Sequence, residues 1–287
     1  MGPSAALLAC GKRLHLQHGP IDLIIGADGD RNAAFSAAED RFQTVLAELM
    51  AERPLLQRPV TPGQAAPNGE TASLMHAAVR PFAEVFVTPM AAVAGAVAET
   101  VLKAMVEATP LRRAYVNNGG DIALHLEGDA RFTISMVGLD GANQGKVGIT
   151  GHDGIGGIAT SGHGGRSLSM GLADSVTALA RTAAKADAAA TLIANHVDCP
   201  GHPAIRRAKA NTVRDDSDLG DRLVTVHRGR LPLPDVITAL ANGNRFADRL
   251  RASGHIHAAA LFLQDRSALS GDLHLLSKQE NRTPVHV

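Results

Sequence analysis

Between Lys12 and Gly26 the chain alternates apolar and polar positions on either side of His18, Gly19 and Pro20. That period of two predicts a β-hairpin turning at Gly19 and Pro20. From Asn32 to Glu52 the period changes, and Phe35, Phe42, Val45, Leu46 and Leu49 recur at the spacing of an amphipathic helix. The next stretch, RPLLQRPVTPGQAAPNGE over 53–70, carries four prolines and is expected to be a long irregular loop. Helical patterns return over about 71–80 and over 89–108, with Pro89 suited to a first turn. The second is rich in Ala and Gly from Ala91 to Ala98, which lets another backbone or a ligand approach closely. RRAYVNN (112–118) and DIALHLE (121–127) read as strands joined through Gly119 and Gly120.

The remaining chain repeats the theme. RFTISMVGL (131–139), GGIATSG (156–162), DSVTALAR (174–181), residues 222–228 and HIHAAALFLQ (255–264) read as strands, and 184–197 and 234–250 as helices. Strands backed by helices make an α+β fold. No low-complexity linker divides the halves, so residues 1–287 are expected to form one compact unit of two intimate α+β halves.

Composition narrows the function. Hydrophobic residues make up 45% of the chain, which places it among globular proteins. Charges cancel at 28 basic and 28 acidic residues without a long run of either sign, which argues against a nucleic-acid surface and for a small ligand. Cys10 and Cys199 are too few for a disulfide framework and suit a reducing compartment. The opening LLAC resembles a lipoprotein cleavage box but lacks a basic segment before it, and its apolar stretch is short. No run is read as reaching the roughly 18 to 20 apolar residues of a membrane helix. A cytoplasmic protein with no membrane association is therefore expected.

Three polar stretches carry candidate chemistry. NNGGD (Asn117, Asn118, Gly119, Gly120, Asp121) has the dipeptides of a hairpin turn, yet a turn alone needs neither the second amide nor the carboxylate. TSGHGGRS supplies Thr160, Ser161, Gly162, His163 and Arg166, in which glycine N–H groups, hydroxyls, an imidazole and a guanidinium suit an anion. ADAAAT places Asp187 and Thr191 at i and i+4, on one helix face. HVDCPGH offers His196, Cys199 and His202 at zinc-like spacing, but with too few ligands, and reads better as a helix end running into a loop.

Together, PMAAVAGAVAE (89–99), VNNGGDIAL (116–124) and IATSG to ADAAAT (158–191) resemble the ApbE superfamily. That group includes magnesium-dependent flavin transferases, which attach FMN from FAD to a protein threonine. The nearest resemblance is to an uncharacterised prokaryotic family of ApbE-like proteins, and it runs along nearly the whole chain. It implies a T-fold-like arrangement of antiparallel sheets backed by helices, with the three polar stretches converging on one pocket. It also implies a magnesium site through Asp187 and Thr191, and a flavin as one possible ligand. The chain departs from the transferases at AAVAG, where Ala94 stands against their lysine, and it lacks their HIIDP-type segment. Covalent transfer of FMN is therefore not expected.

Three functions remain open. The first is an ApbE-like enzyme or binding protein for a small anionic molecule bearing a nucleotide, flavin or carboxylate. In it Arg166 anchors the anion, and His163 and Asn118 orient it. The second is a hydrolase of a small cyclic amide or lactone, with Ser161 as nucleophile, His163 as base, and Asp174 or Asp153 as the orienting acid. The third is a non-catalytic ligand-sensing or assembly protein. Sheet edges and the small-residue helix point to a homodimer.

Overall fold

In a computed structural model, residues 2–137, 143–165, 167–271 and 276–277 are described. The alternating segment forms strands β2 (Arg13–His18) and β3 (Ile21–Gly29), preceded by the short β1 (Ser4–Leu7). His18 lies opposite Ile21, so Gly19 and Pro20 are the whole loop, as the sequence predicts. The apolar positions Leu14, Leu16, Ile21, Leu23 and Ile25 are all buried.

Helix α1 (Arg31–Leu56) starts where Asp30 accepts a hydrogen bond from the Ala33 N–H at 3.1 Å. It runs through Pro54, so the irregular segment begins at Gln57 and not at Arg53 as expected. A proline near a helix end removes one N–H only, and the Gln57 N–H recovers the Arg53 and Leu55 carbonyls. Helices α2 (Glu70–Val79) and α3 (Val93–Ala108) follow, the latter entered through a 3-10 turn at Pro89–Ala92. Strands β4 (Leu111–Asn118), β5 (Asp121–Leu126), β6 (Arg131–Val137), β7 (Asn143–Thr150), β8 (Gly157–Ser161) and β9 (Ser175–Ala180) come next. Helix α4 (Ala183–His196), strand β10 (Ile205–Lys209), the single turn α5 (Ala210–Val213), strand β11 (Leu223–Arg228) and helix α6 (Leu233–Ala252) succeed them. The order closes with β12 (Ala258–Leu263), β13 (Arg266–Ser270) and β14 (Leu276–Ser277).

The chain divides into two compact units. The first comprises Met1–Phe132, Ile149–Ala159 and Ala180–Ala188. Its sheet runs β1-β2-β3-β4-β5-β8 with every neighbouring pair antiparallel. Helix α3 lies against β4, β5, α1 and α2, and α1 against β2 and β3, so strands and helices form two layers. One expectation needs correction here, because Pro89–Ala108 is long and apolar enough to span a membrane by length and composition. In the structure it is a core helix, with Ala96, Val97, Ala98, Val101, Leu102 and Met105 buried.

The second unit comprises Thr133–Gly148, Thr160–Leu179 and Ala189–Val287. Strands β9, β12 and β13 pair antiparallel, and α6 packs against β12 and β13. Every residue of β9 and β12 is buried, which is why neither strand alternates between apolar and charged positions. Strands β10 and β11 pair separately, and β7 lies between β14 and β6. Strands β1, β7, β10, β13 and β14 were not expected, since such short or glycine-broken segments show no period. Both units are α+β with antiparallel sheets, as the element order predicts.

Candidate functional site

In the first unit, NNGGD is the turn between β4 and β5, with Asn118 opposite Asp121. Gly119 and Gly120 have φ of 64° and 112°, values that side-chain-bearing residues rarely adopt. The Asn117 carboxamide oxygen accepts from the Gly120 N–H at 2.8 Å and so builds the turn. Asn118 is 5% exposed, and its amide donates to the Ala94 carbonyl at 3.1 Å, tying the hairpin to the start of α3.

The small residues of α3 have a specific use at Gly95. A Cβ there would lie 2.3 Å from the Ala183 carbonyl oxygen, so only glycine lets α4 begin this close. The Gly95 N–H belongs to the first turn of α3, where helix N–H groups lack intrahelical partners. Asp187, 8% exposed, supplies the acceptor through Oδ2 at 2.9 Å. Glu99, one turn further along α3, accepts from the Ala184 N–H at 3.2 Å and so caps α4 from another helix.

These acids are held as dipole acceptors inside the unit, and their pKa values shift accordingly. Burial pushes the Asp187 carboxyl well above the usual carboxylate range, and nearby Asp121 pushes it further. The N–H groups of Gly95 and Ala94 work in the opposite direction. Burial also raises Glu99, against the Ala184 N–H, the Thr182 hydroxyl and Lys185. Asp153 serves its own turn. Its carboxylate accepts from the Thr150 N–H at 2.6 Å and the Thr150 hydroxyl at 2.9 Å, in a capping box.

In the second unit, the glycine-rich stretch leaves β8 as a closed loop. The Thr160 hydroxyl meets that of Thr177 at 2.9 Å, and the Thr191 hydroxyl donates to Ser161 Oγ at 3.4 Å. Gly162 passes so close to Asp174 that a Cβ would lie 2.6 Å from its carbonyl oxygen. The His163 N–H donates to the Ala173 carbonyl at 2.8 Å and closes the neck. Arg166, expected to anchor an anion, lies outside the described residues.

Asp174 is held on both oxygens. Oδ1 accepts from Arg228 Nη2 at 2.5 Å, and Oδ2 from the Gln264 N–H at 2.5 Å. Arg228 also donates through Nη1 to the Leu172 carbonyl. Burial holds the His163 ring below the usual histidine range, with Arg228 and His227 acting the same way and Asp174 against them.

The structure thus brings Asn118, Asp121 and Asp187 around the first turn of α3, while Ser161 and Asp174 engage Thr191, Arg228 and Gln264. Sequence reasoning flagged the small residues around Ala94 and Gly95 for close approach but missed Glu99 and Arg228. No spacing could have flagged them, since Arg228 reads only as a strand end. In HVDCPGH, His196 stacks on Phe246 at 3.7 Å and its Nδ1 lies 2.8 Å from the Leu192 carbonyl oxygen, while His202 lies 3.3 Å from Asp235. Among the described residues no group of three or more His, Cys, Asp or Glu is arranged to hold a metal.

Comparisons with known proteins bear on this geometry. The profile of the family described as AbpE bacteria matches residues 5–275. The UPF0280 protein of Methanopyrus kandleri is 37% identical over 182 residues, covering 61% of this chain and 69% of that protein. The UPF0280 protein of Methanococcus vannielii is 42% identical over 117 residues, covering 38% of this chain and 45% of that protein. The match thus spans less than half the length of the Methanococcus relative. Among solved structures, the ApbE protein of Thermotoga maritima aligns at a TM-score of 0.52 and 11% identity, over 93% of this chain and 99% of that one. At that identity the likeness shows a shared fold.

Proposed function

The chain belongs to the family described as AbpE bacteria, and from that premise we propose that its first unit binds a small anionic ligand through a divalent cation at Asp187. The anion is nucleotide-, flavin- or carboxylate-bearing, and magnesium is the cation the superfamily resemblance suggests. The observation that carries this reading is the state of Asp187, a buried carboxyl beside Asp121 with N–H dipoles on it. Dipoles satisfy its hydrogen bonding but do not cancel a second negative charge. Such a group takes up either a proton or a cation, and perturbed acids of this kind concentrate at functional sites.

The donor chemistry fits magnesium, since Asp187 and Asp121 offer hard carboxylate oxygens. No third protein acid joins them among the described residues, so most ligands would come from water and from the anion. The cation's contribution would be to neutralise ligand charge beside the first turn of α3. The protein's own groups would do the rest: Asn118 fixes the hairpin against Ala94, and Gly95 leaves room for close backbone packing. With Ala94 in the place of the transferase lysine, we infer binding without covalent transfer of FMN.

The test is thermal unfolding with magnesium chloride, FAD, both, or neither. A ligand at a hundredfold its Kd stabilises the native state by about 2.7 kcal/mol. We expect FAD with magnesium to raise Tm in the wild type, and the rise to vanish in Asp187→Asn. An equal rise in the variant would remove Asp187 from the site. No response to FAD, FMN or inorganic pyrophosphate with magnesium would overturn the anion reading.

A further inference from the structure

Asp174 and the end of the glycine-rich loop are organised by a residue that no motif contains. Arg228 is the last residue of β11, and its side chain is 15% exposed against 18% for Asp174. Its planar fork reaches two different groups, the Leu172 carbonyl and the Asp174 carboxylate. The other Asp174 oxygen takes the N–H of Gln264, at the turn between β12 and β13. Gln264 has φ of 51°, an unfavourable conformation for a side-chain-bearing residue. Its own amide is bonded twice to Leu231, with Oε1 accepting from the Leu231 N–H at 3.1 Å. Three segments therefore meet at one carboxylate. The loop that starts at Gly162 ends on this anchor, and the His163 to Ala173 hydrogen bond draws its neck shut.

The His163 ring is half-buried. We propose that Arg228 is the positioning residue of this loop: by bridging the Leu172 carbonyl to the Asp174 carboxylate, it fixes the place from which His163 meets a ligand hydroxyl, amide or phosphate. The clause about a ligand rests on the reading of the glycine-rich loop as an anion-binding segment. The clamp itself rests on geometry alone. Asp174 is then an anchor, with one oxygen on Arg228 and the other on the Gln264 N–H. Among the described residues, the charged and titratable groups acting on the ring are Arg228 and His227 from β11, and Asp174 at the loop's end. Burial and the two β11 residues favour the uncharged ring, and Asp174 opposes them.

The experiment follows the His163 ring protons by NMR across pH in the full chain, with His163→Asn identifying the signal. In the wild type we expect a midpoint below that of an ordinary histidine. In Arg228→Gln the midpoint should rise but stay below the ordinary value, because burial, the largest effect, and His227 still act against Asp174. A loop that had merely loosened would give the ordinary value, and that result would overturn the clamp. Adding Asp174→Asn to Arg228→Gln should bring the midpoint back down. Arg228→Lys keeps the charge but loses the fork, so its midpoint should stay low while the His163 N–H exchanges at least tenfold faster. Unchanged exchange would overturn the proposal even if Arg228→Gln fails to fold. The ligand clause is read separately, as inorganic phosphate shifting the His163 signals in the wild type. Its absence would remove the ligand clause and leave the clamp standing.

Discussion

Asp187 in the first unit and Asp174 in the second are both largely shielded from water, and the protein treats them in opposite ways. Asp174 faces a guanidinium and a backbone N–H, so its charge and its lone pairs are both matched. Asp187 faces N–H groups at the first turn of a helix and a second acid, so its lone pairs are matched and its charge is not. A buried charge with a well-placed counter-ion makes a rigid joint, and removing the partner exposes the cost of burying the charge. A buried acid without one shifts its pKa and waits for a proton or a cation. The comparison teaches that burial of an aspartate says little by itself. What faces the carboxylate decides whether it is an anchor or a binding group.

The largest effect should come from breaking the matched pair. Arg228→Ala leaves Asp174 without its counter-ion and should lower stability by about 3 kcal/mol in urea unfolding, the lower end for buried pairs because both groups keep some solvent. A loss below about 1 kcal/mol, the range of surface ion pairs, would show that solvent screens the pair and that the contrast with Asp187 is overstated.

Next comes Gly95→Ala, which sets a methyl group against the Ala183 carbonyl. Overpacking of this kind costs about 1–3 kcal/mol, and hydrogen exchange at the start of α4 should quicken with it. Unchanged stability would mean that α3 and α4 can part without loss. Asn118→Ala should cost about 1 kcal/mol, since the Ala94 carbonyl loses its donor. Asp187→Asn, by contrast, keeps an acceptor for the Gly95 N–H and removes the unmatched charge, so it should not destabilise the protein at neutral pH.

The last effect is a slope and not a fixed loss. Asp187 and Glu99 both have folded-state values raised by burial, so the folded chain holds their protons more tightly than the unfolded chain. Their stabilising contribution is complete below the usual carboxylate range and is lost as pH rises through the raised values. Relative to the wild type, Asp187→Asn should therefore gain stability as pH rises from the usual carboxylate range through the raised value, with a slope of at most one proton's linkage. Urea unfolding at several pH values measures this. A flat difference would show that Asp187 titrates as an ordinary acid.

Much of this was legible in the residues. The alternation around His18 specified a hairpin because side chains in a strand point to opposite faces, and the spacing from Phe35 to Leu49 specified α1 for the analogous reason in a helix. Asn117 to Asp121 announced a turn because paired glycines accept left-handed conformations that other residues avoid. The α+β class followed from the order of such elements, and the ApbE-like resemblance from three stretches in sequence order. These are local properties, carried by a few neighbouring side chains.

The partners of the acids were not local. Asp187 reaches Gly95, 92 positions away, and Gln264 reaches Asp174, 90 positions away. Arg228 is 54 positions from the carboxylate it holds. No period or motif links such pairs, because a salt bridge needs only opposite charges at contact distance and any arginine could have supplied one. The sequence by itself determined the hairpins at Gly19 and Gly119 and the amphipathic course of α1. Only the tertiary structure decided that Asp174 would meet a guanidinium and Asp187 a helix terminus, since packing alone brings distant positions within hydrogen-bonding reach.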